Sequence, residues 1–162
     1  MGREPRSYDT EGIYHLTTHG IDDRPIFRDD IDRQDFAIRL RRIALRERWR
    51  FYAVCLMDTH YHLILRPALG RVSNGMRDLN SGHSRTFNAR HVRRGALFEA
   101  RYRDKPIDDE EHLSVAVHYV EFNPVTAGLV DDVRDWPWST YSGSALRSVL
   151  AKCLTPEVSD AS

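Results

Sequence analysis

Two histidines, His60 and His62, stand two positions apart in the run HYHLILR (60–66), which reads as a strand. Strand side chains alternate, so both imidazoles leave one face and Tyr61 leaves the other. Two imidazoles on one face can hold a divalent cation if a third donor arrives from elsewhere. The plainer alternative is a pair of polar residues on a solvated strand face. Further on, Tyr119 and Asn123 are four apart in a helical segment and therefore adjacent on one helical face. A tyrosine hydroxyl beside a metal-polarised phosphate can act as a nucleophile. A phenol with a pKa of about 10 needs activation by the metal or a nearby base to do so. The plainer alternative is a partly buried helix tyrosine, one of seven tyrosines in the chain.

The elements that must position these residues follow from spacing and punctuation. Residues 12–19 read as a first strand and 20–25 as a turn. An N-cap at Asp29 or Asp30 then opens an amphipathic helix over 30–48, carried by Phe36, Leu40, Ile43 and Ala44. Residues 50–57 form a second strand, with Asp58-Thr59 as a tight connection to the third over 60–66. Val72, Met76, Leu79, His83 and Phe87 are spaced as a helix over 72–91. A fourth strand is expected over 96–107. A last helix starts at Asp108, with Glu110 and Glu111 in its first turn, and ends near Asn123 because Pro124 follows. Residues 131–150 should lie against the domain, while the first ten residues and 151–162 are expected to be loose. The order β-α-β-β-α-β-α predicts an α+β, ferredoxin-like (split β-α-β) four-stranded antiparallel sheet. Two helices cover one face and a third helix is free to sit near the other.

The chain has 162 residues, enough for one domain with a sizeable core. No apolar run approaches the ~20 residues of a membrane-spanning helix, and the N-terminus has no apolar segment of the signal-peptide kind. Cys55 and Cys153 lie far apart and read as reduced thiols, so a cytoplasmic protein is expected. Net charge is zero but uneven. Residues 71–105 hold nine basic and three acidic side chains, and 106–162 hold three basic and ten acidic. A phosphate backbone senses a patch within a Debye length of about 8–10 Å, so the basic segment can bind nucleic acid in a neutral chain. Arg85, Arg90, Arg93, Arg94, Arg101, Arg103 and Lys105 are its candidate phosphate contacts. Among the interleaved aromatics, Tyr102 could stack a base and Phe87 reads as core.

Six blocks in order then carry a resemblance. LMDTHYHLIL (56–65) resembles the histidine segment of the IS200-like, single-tyrosine HUH transposases, most closely the REP-associated tyrosine transposase branch. YHLTTHG (14–20), PIFRDDIDRQDF (25–36) and the stretch 73–103 look like that family's first strand, first helix entry, and long helix with basic loop. HYVEFNPVTAGLV (118–130) is similar to its Tyr-x-x-x-Asn-Pro-Val-x-Ala-Gly signature, and DWPWSTY (135–141) to its C-terminal block. The resemblance covers about residues 12–146 and implies a single transposase domain over 1–162 whose last helix is catalytic.

The resemblance further implies that His60, His62 and Asn123 ligate Mg²⁺ or Mn²⁺. Tyr119 would attack single-stranded or hairpin DNA of palindromic repeats, forming a 5′-phosphotyrosine link and freeing a 3′-OH. Such chemistry needs no nucleotide cofactor and no membrane. It suggests a monomer associated with the nucleoid when on DNA. Asp58-Thr59, Glu121-Phe122 and Thr126 depart from the family's usual residues, although the catalytic set stays whole. The rival expectation is a non-catalytic single-strand binding module on a ferredoxin-like sheet.

Overall fold

Each strand expected around the paired histidines forms, and each sends alternate side chains into two different layers. The computed structural model describes residues 6–155. Its elements are β1 (Ile13–His19), α1 (Asp30–Glu47), β2 (Trp49–Leu56), β3 (His60–Pro67), α2 (Ser73–Arg90), β4 (Arg103–Ile107), α3 (Glu110–Glu121), α4 (Asn123–Thr126) and α5 (Ala145–Val149). The sheet order is β2-β3-β1-β4 and every neighbouring pair is antiparallel. This is the ferredoxin-like arrangement expected from the sequence.

One face of the sheet presents Leu16, Val54, Leu56, Tyr61, Leu63 and Leu65 to α1 and α2, which add Phe36, Leu40, Ile43, Met76, Leu79 and Phe87. The other face presents Ala53, Cys55 and Ile64 to Ala116, Val117 and Val120 of α3. The parity that sends Tyr61 inward to the α1–α2 layer sends His60 and His62 to the α3 side. A one-residue slip of β3 would exchange them.

Helix ends are set by short polar side chains. Asp29 caps α1 by accepting from Asp32 N–H (3.0 Å), and Asp109 caps α3 by accepting from His112 N–H (2.7 Å). The second cap lies one residue beyond the expected Asp108. Asp108 instead donates its own N–H to His112 Nδ1 (3.3 Å). β4 is shorter than the expected 96–107. The expected pairing survives upstream only as a bridge of Phe98 to Gly20, with Glu99 N–H donating to His19 carbonyl (3.1 Å), while Leu97 is buried and Phe98 packs on Tyr61 and His83.

The termini are held further out than composition suggests. Tyr8 is buried, its hydroxyl bonded to Tyr102 (2.6 Å) and Asp104 (2.7 Å). Thr155 N–H donates to Phe51 carbonyl (2.9 Å), so residues 151–155 are tied to β2. The looseness expected of residues 1–5 and 156–162 lies outside the described residues. The stretch 136–140 closes the free edge of β2. Leu56 N–H donates to Trp138 carbonyl (2.9 Å), Thr140 N–H to Val54 carbonyl (3.0 Å), and the Trp136 indole to Leu56 carbonyl (3.1 Å).

Close approach of α2 to β2 depends on Gly75. A Cβ there would meet the Trp49 ring at 2.4 Å, and that ring is fixed by its indole bond to Arg71 carbonyl (2.8 Å). Gly75→Ala should cost about 1–3 kcal/mol through overpacking. A calorimetric melt several degrees below wild type would register it.

Candidate functional site

Four histidines gather on the α3 side of the sheet. Register sets His19 opposite His60 and Thr17 opposite His62, with His15 two residues further along β1. The His60 and His62 ring centroids are 5.0 Å apart, and His19 stacks on His60 at 4.7 Å. His15 Nε2 and His62 Nδ1 are 2.9 Å apart and share a hydrogen bond. His62 is buried and its Nε2 finds no hydrogen-bond partner among the described residues. The bond to His15 forms with either ring as donor, and in one of the two arrangements His62 carries its proton on Nδ1 and donates it to His15. That tautomer leaves a bare lone pair on Nε2. His60 is oriented similarly, with Nδ1 3.1 Å from the Thr59 hydroxyl.

The last helix brings the phenol and the carboxamide. Ala116, Val117 and Val120 anchor α3 on β2 and β3, and the neighbouring flank of the helix carries Tyr119. Its ring centroid lies 5.7 Å from that of His62 and 6.3 Å from that of His15. Tyr119 is 51 % exposed, so a substrate can reach it. Asn123 opens the short α4 after a break at Phe122. It is buried, and its carboxamide acts on the His60 ring, partly opposing the burial that lowers that imidazole. The backbone break therefore falls between Tyr119 and Asn123, yet both face the histidines.

Burial tunes these rings. It pushes the His62 imidazole down to about 3, helped by His15, His60 and His19, and it lowers His60 and His15 as well. All three are neutral near pH 7, the form in which imidazole binds metal. The stability consequence has a definite sign. His62 takes up a proton near 6.5 when unfolded and only near 3 when folded, so its contribution is complete above about pH 6.5 and is lost as pH falls through that window. At about 1.4 kcal/mol per pKa unit this is on the order of 3 kcal/mol by pH 4. Denaturant midpoints of metal-free protein should fall steeply from pH 7 to pH 4. His62→Gln should flatten that dependence, and an unchanged slope would refute the assignment.

Two nearby acidic groups stand apart from the histidines. Glu121 points toward the C-terminal tail, its carboxylate 3.3 Å from the Thr140 hydroxyl, and burial raises its pKa. Asp29, Asp32 and His91 are the one trio of carboxylate and imidazole donors, among the described residues, close enough to share a cation. That trio already holds the Arg90 guanidinium, which donates to both carboxylates at 2.6–2.7 Å. It is an ion-pair network joining α1 to the end of α2.

The expected DNA contacts divide once their partners are known. Arg85, Arg94, Arg103 and Lys105 are exposed, with Lys105 in register beside His15 on β4. Among the described residues Arg103 has Glu99 at 3.5 Å as its ion partner. Arg90 is spent on the network above. Arg93 clamps its own loop by donating to Asn88 Oδ1 (3.1 Å) and Ala96 carbonyl (2.8 Å). Arg101 donates to Ser73 Oγ (3.1 Å). Tyr102 is buried at 4 % exposure and bonded to Tyr8, so its ring offers no stacking surface.

Sequence reasoning missed Thr59 as the support of His60 and His15 as the support of His62. The first sits in the turn that departs from the family's usual residues. In that turn Asp58 also pairs with the buried Arg33, and the Thr59 carbonyl accepts from Gly20 N–H (2.7 Å). The second could have been found from the i, i+2, i+4 parity of His15, Thr17 and His19.

The site is thus a ferredoxin-like sheet with paired imidazoles on one face and a tyrosine on a helix laid across it. The family model described as "Transposase IS200 like" matches residues 9–123, and the chain belongs to that family. A Haemophilus influenzae protein named "Putative REP-associated tyrosine transposase" is 25 % identical over 100 residues, 55 % of this chain and 57 % of that protein, so the chain spans just over half of that relative. A solved REP-associated tyrosine transposase, bound to a REP hairpin, superposes with a TM-score of 0.69 at 20 % identity. The superposition covers 99 % of this chain and 94 % of that one and supports the shared fold. No helix among the described residues is long and apolar enough to cross a membrane.

Proposed function

We propose that this chain is a metal-dependent single-stranded DNA endonuclease and strand transferase acting on hairpin-forming repeats, with Tyr119 as its nucleophile. The observation that carries the reading is the approach of the Tyr119 ring to 5.7 Å from a buried His62 whose Nε2 has no partner among the described residues. A buried nitrogen left unpaired is costly, and a cation is the partner its lone pair suits. His60, His62 and Asn123 would hold that cation. Two imidazoles and one carboxamide oxygen form a mixed set in which Mn²⁺ is at least as comfortable as Mg²⁺. When bound, it would polarise a phosphoryl oxygen and stabilise the charge that builds during displacement.

The protein's own groups do the rest. His15 and Thr59 hold the two imidazoles in the ligating tautomer. Tyr119 Oη forms a bond to the scissile phosphorus as the bond from phosphorus to O3′ breaks. The phenol proton passes to solvent, and the departing O3′ takes one up as a free hydroxyl. One phosphoester replaces another, so the link keeps its energy for transfer or religation without a nucleotide cofactor. Lys105, Arg103, Arg94 and Arg85 supply exposed cations for the DNA backbone. The REP hairpin in the structurally similar transposase supports a hairpin as substrate. In this reading the chain acts as one domain and as a monomer.

The test uses a hairpin oligonucleotide with a single-stranded flank, labelled at its 3′ end, incubated with protein and Mn²⁺ or Mg²⁺. A denaturing gel should show label retained on the protein, while a 5′-labelled strand is released with a 3′-OH. EDTA should remove the adduct. Tight binding without any adduct, across several hairpins and both metals, would leave only a non-catalytic binding module.

A further inference from the structure

The C-terminus of α2 is shaped for a glycine and carries a valine. His91 caps the helix, and Arg93 N–H returns to Asn88 carbonyl (2.8 Å). This closure needs a left-handed residue between them, a place usually taken by glycine because it has no Cβ to clash. Here it is Val92, at φ 51°. A β-branched residue in that region is a steric outlier. No packing offsets the strain, since Val92 is 94 % exposed. Neither backbone preference nor core burial accounts for the side chain.

The loop around it is a built frame. Asn88 Nδ2 donates to Gly95 carbonyl (3.0 Å), and the Arg93 guanidinium bridges Asn88 Oδ1 and Ala96 carbonyl. Arg90 is locked to Asp29 and Asp32. With Arg90 and Arg93 committed internally, Val92 and Arg94 are the largest side chains the loop exposes, beside Gly95 and Ala96. Arg85, also exposed, lies two turns earlier on α2. Arg39 of α1 feels both it and Arg42 as like charges, after burial the main causes that lower its pKa. The loop therefore presents an apolar tip with Arg94 two residues on and Arg85 two turns back along α2. Nucleic acid fits that pattern, because sugar and base edges offer apolar surface between regularly spaced phosphates.

We propose that Val92 is a DNA-contact residue, its methyl groups packing on sugar and base edges of the bound hairpin while Arg94 and Arg85 take flanking phosphates. The inference rests on the hairpin substrate proposed above, though not on the covalent step. Hairpin binding is therefore measured in EDTA by fluorescence anisotropy, apart from the adduct assay, alongside thermal melts of the free protein. Val92→Gly should melt a few degrees higher, because the cap strain is relieved. It should also bind the hairpin about three- to tenfold more weakly, through lost apolar contact. The salt dependence of its binding should equal that of wild type, since no charge is removed, whereas Arg94→Ala should lower the slope by about one. Val92→Ile should bind as wild type does. Equal hairpin affinity of wild type and Val92→Gly, or no gain in melting temperature, would overturn the proposal, as would a wild-type protein that does not bind the hairpin. Adduct formation failing while Val92→Gly still loses affinity would refute the covalent reading alone.

Discussion

Tyr119→Phe should abolish the covalent DNA adduct while leaving hairpin binding intact. The substitution removes one oxygen from a half-exposed ring, so the fold should hold within about 0.5 kcal/mol. The phenyl ring stays and can still stack on an unpaired base, an interaction of about 1–3 kcal/mol. Hairpin affinity should therefore remain within about twofold. Strand cleavage should drop on the order of 10³-fold or more, because no other hydroxyl replaces the missing nucleophile. The measurement is single-turnover cleavage with Mn²⁺ at saturating protein, read on a denaturing gel. Cleavage that survives at near wild-type rate without an adduct would mean an activated water attacks, and the tyrosine mechanism would fall. Loss of cleavage together with loss of binding would instead assign Tyr119 to DNA docking.

The fold was legible because its signals are local. Alternation in HYHLILR, helical spacing from Phe36 to Ala44 and from Val72 to Phe87, and aspartates before the helices all act within a few residues. They correctly order the sheet and direct the two histidines toward the last helix. What escaped was set by distant partners. Arg90 reads as a free cation until Asp29, 61 positions away, is seen to hold it. Tyr102 reads as a stacking ring until Tyr8 closes over it from the other end of the chain. The stretch 96–102 has strand-like residue types, yet it meets the end of β1 only through the Phe98–Gly20 bridge and the bond from Glu99 N–H to His19 carbonyl, while Leu97 and Phe98 turn into the core. At the site, spacing put His60 and His62 on one strand face and Tyr119 beside Asn123, while the roles assigned to the four came from the family resemblance. Their supports, His15 and Thr59, are visible only through hydrogen bonds across and beside the strands.

That supporting layer yields the second large effect. His62→Ala should weaken Mn²⁺ binding at least a hundredfold, since a buried ligand with its lone pair already exposed is lost. His15→Phe should weaken it about 10- to 100-fold, the range seen when an outer hydrogen-bond partner of a ligating imidazole is removed. Phenylalanine keeps the ring volume but cannot accept the His62 Nδ1 proton, so the 2.9 Å bond through which His62 donates in its metal-binding tautomer disappears. The proton is then free to move to Nε2, where it blocks the lone pair. His15→Gln restores an acceptor and should recover most of the affinity, which a purely steric role for His15 would not produce. Electron paramagnetic resonance of free Mn²⁺ reports the binding without any DNA or turnover. Equal Mn²⁺ affinity in His15→Phe and wild type would show that the His15–His62 bond only packs the sheet. The free Nε2 of His62 would then need another explanation, because the metal reading asks that nitrogen to be held bare by its neighbour.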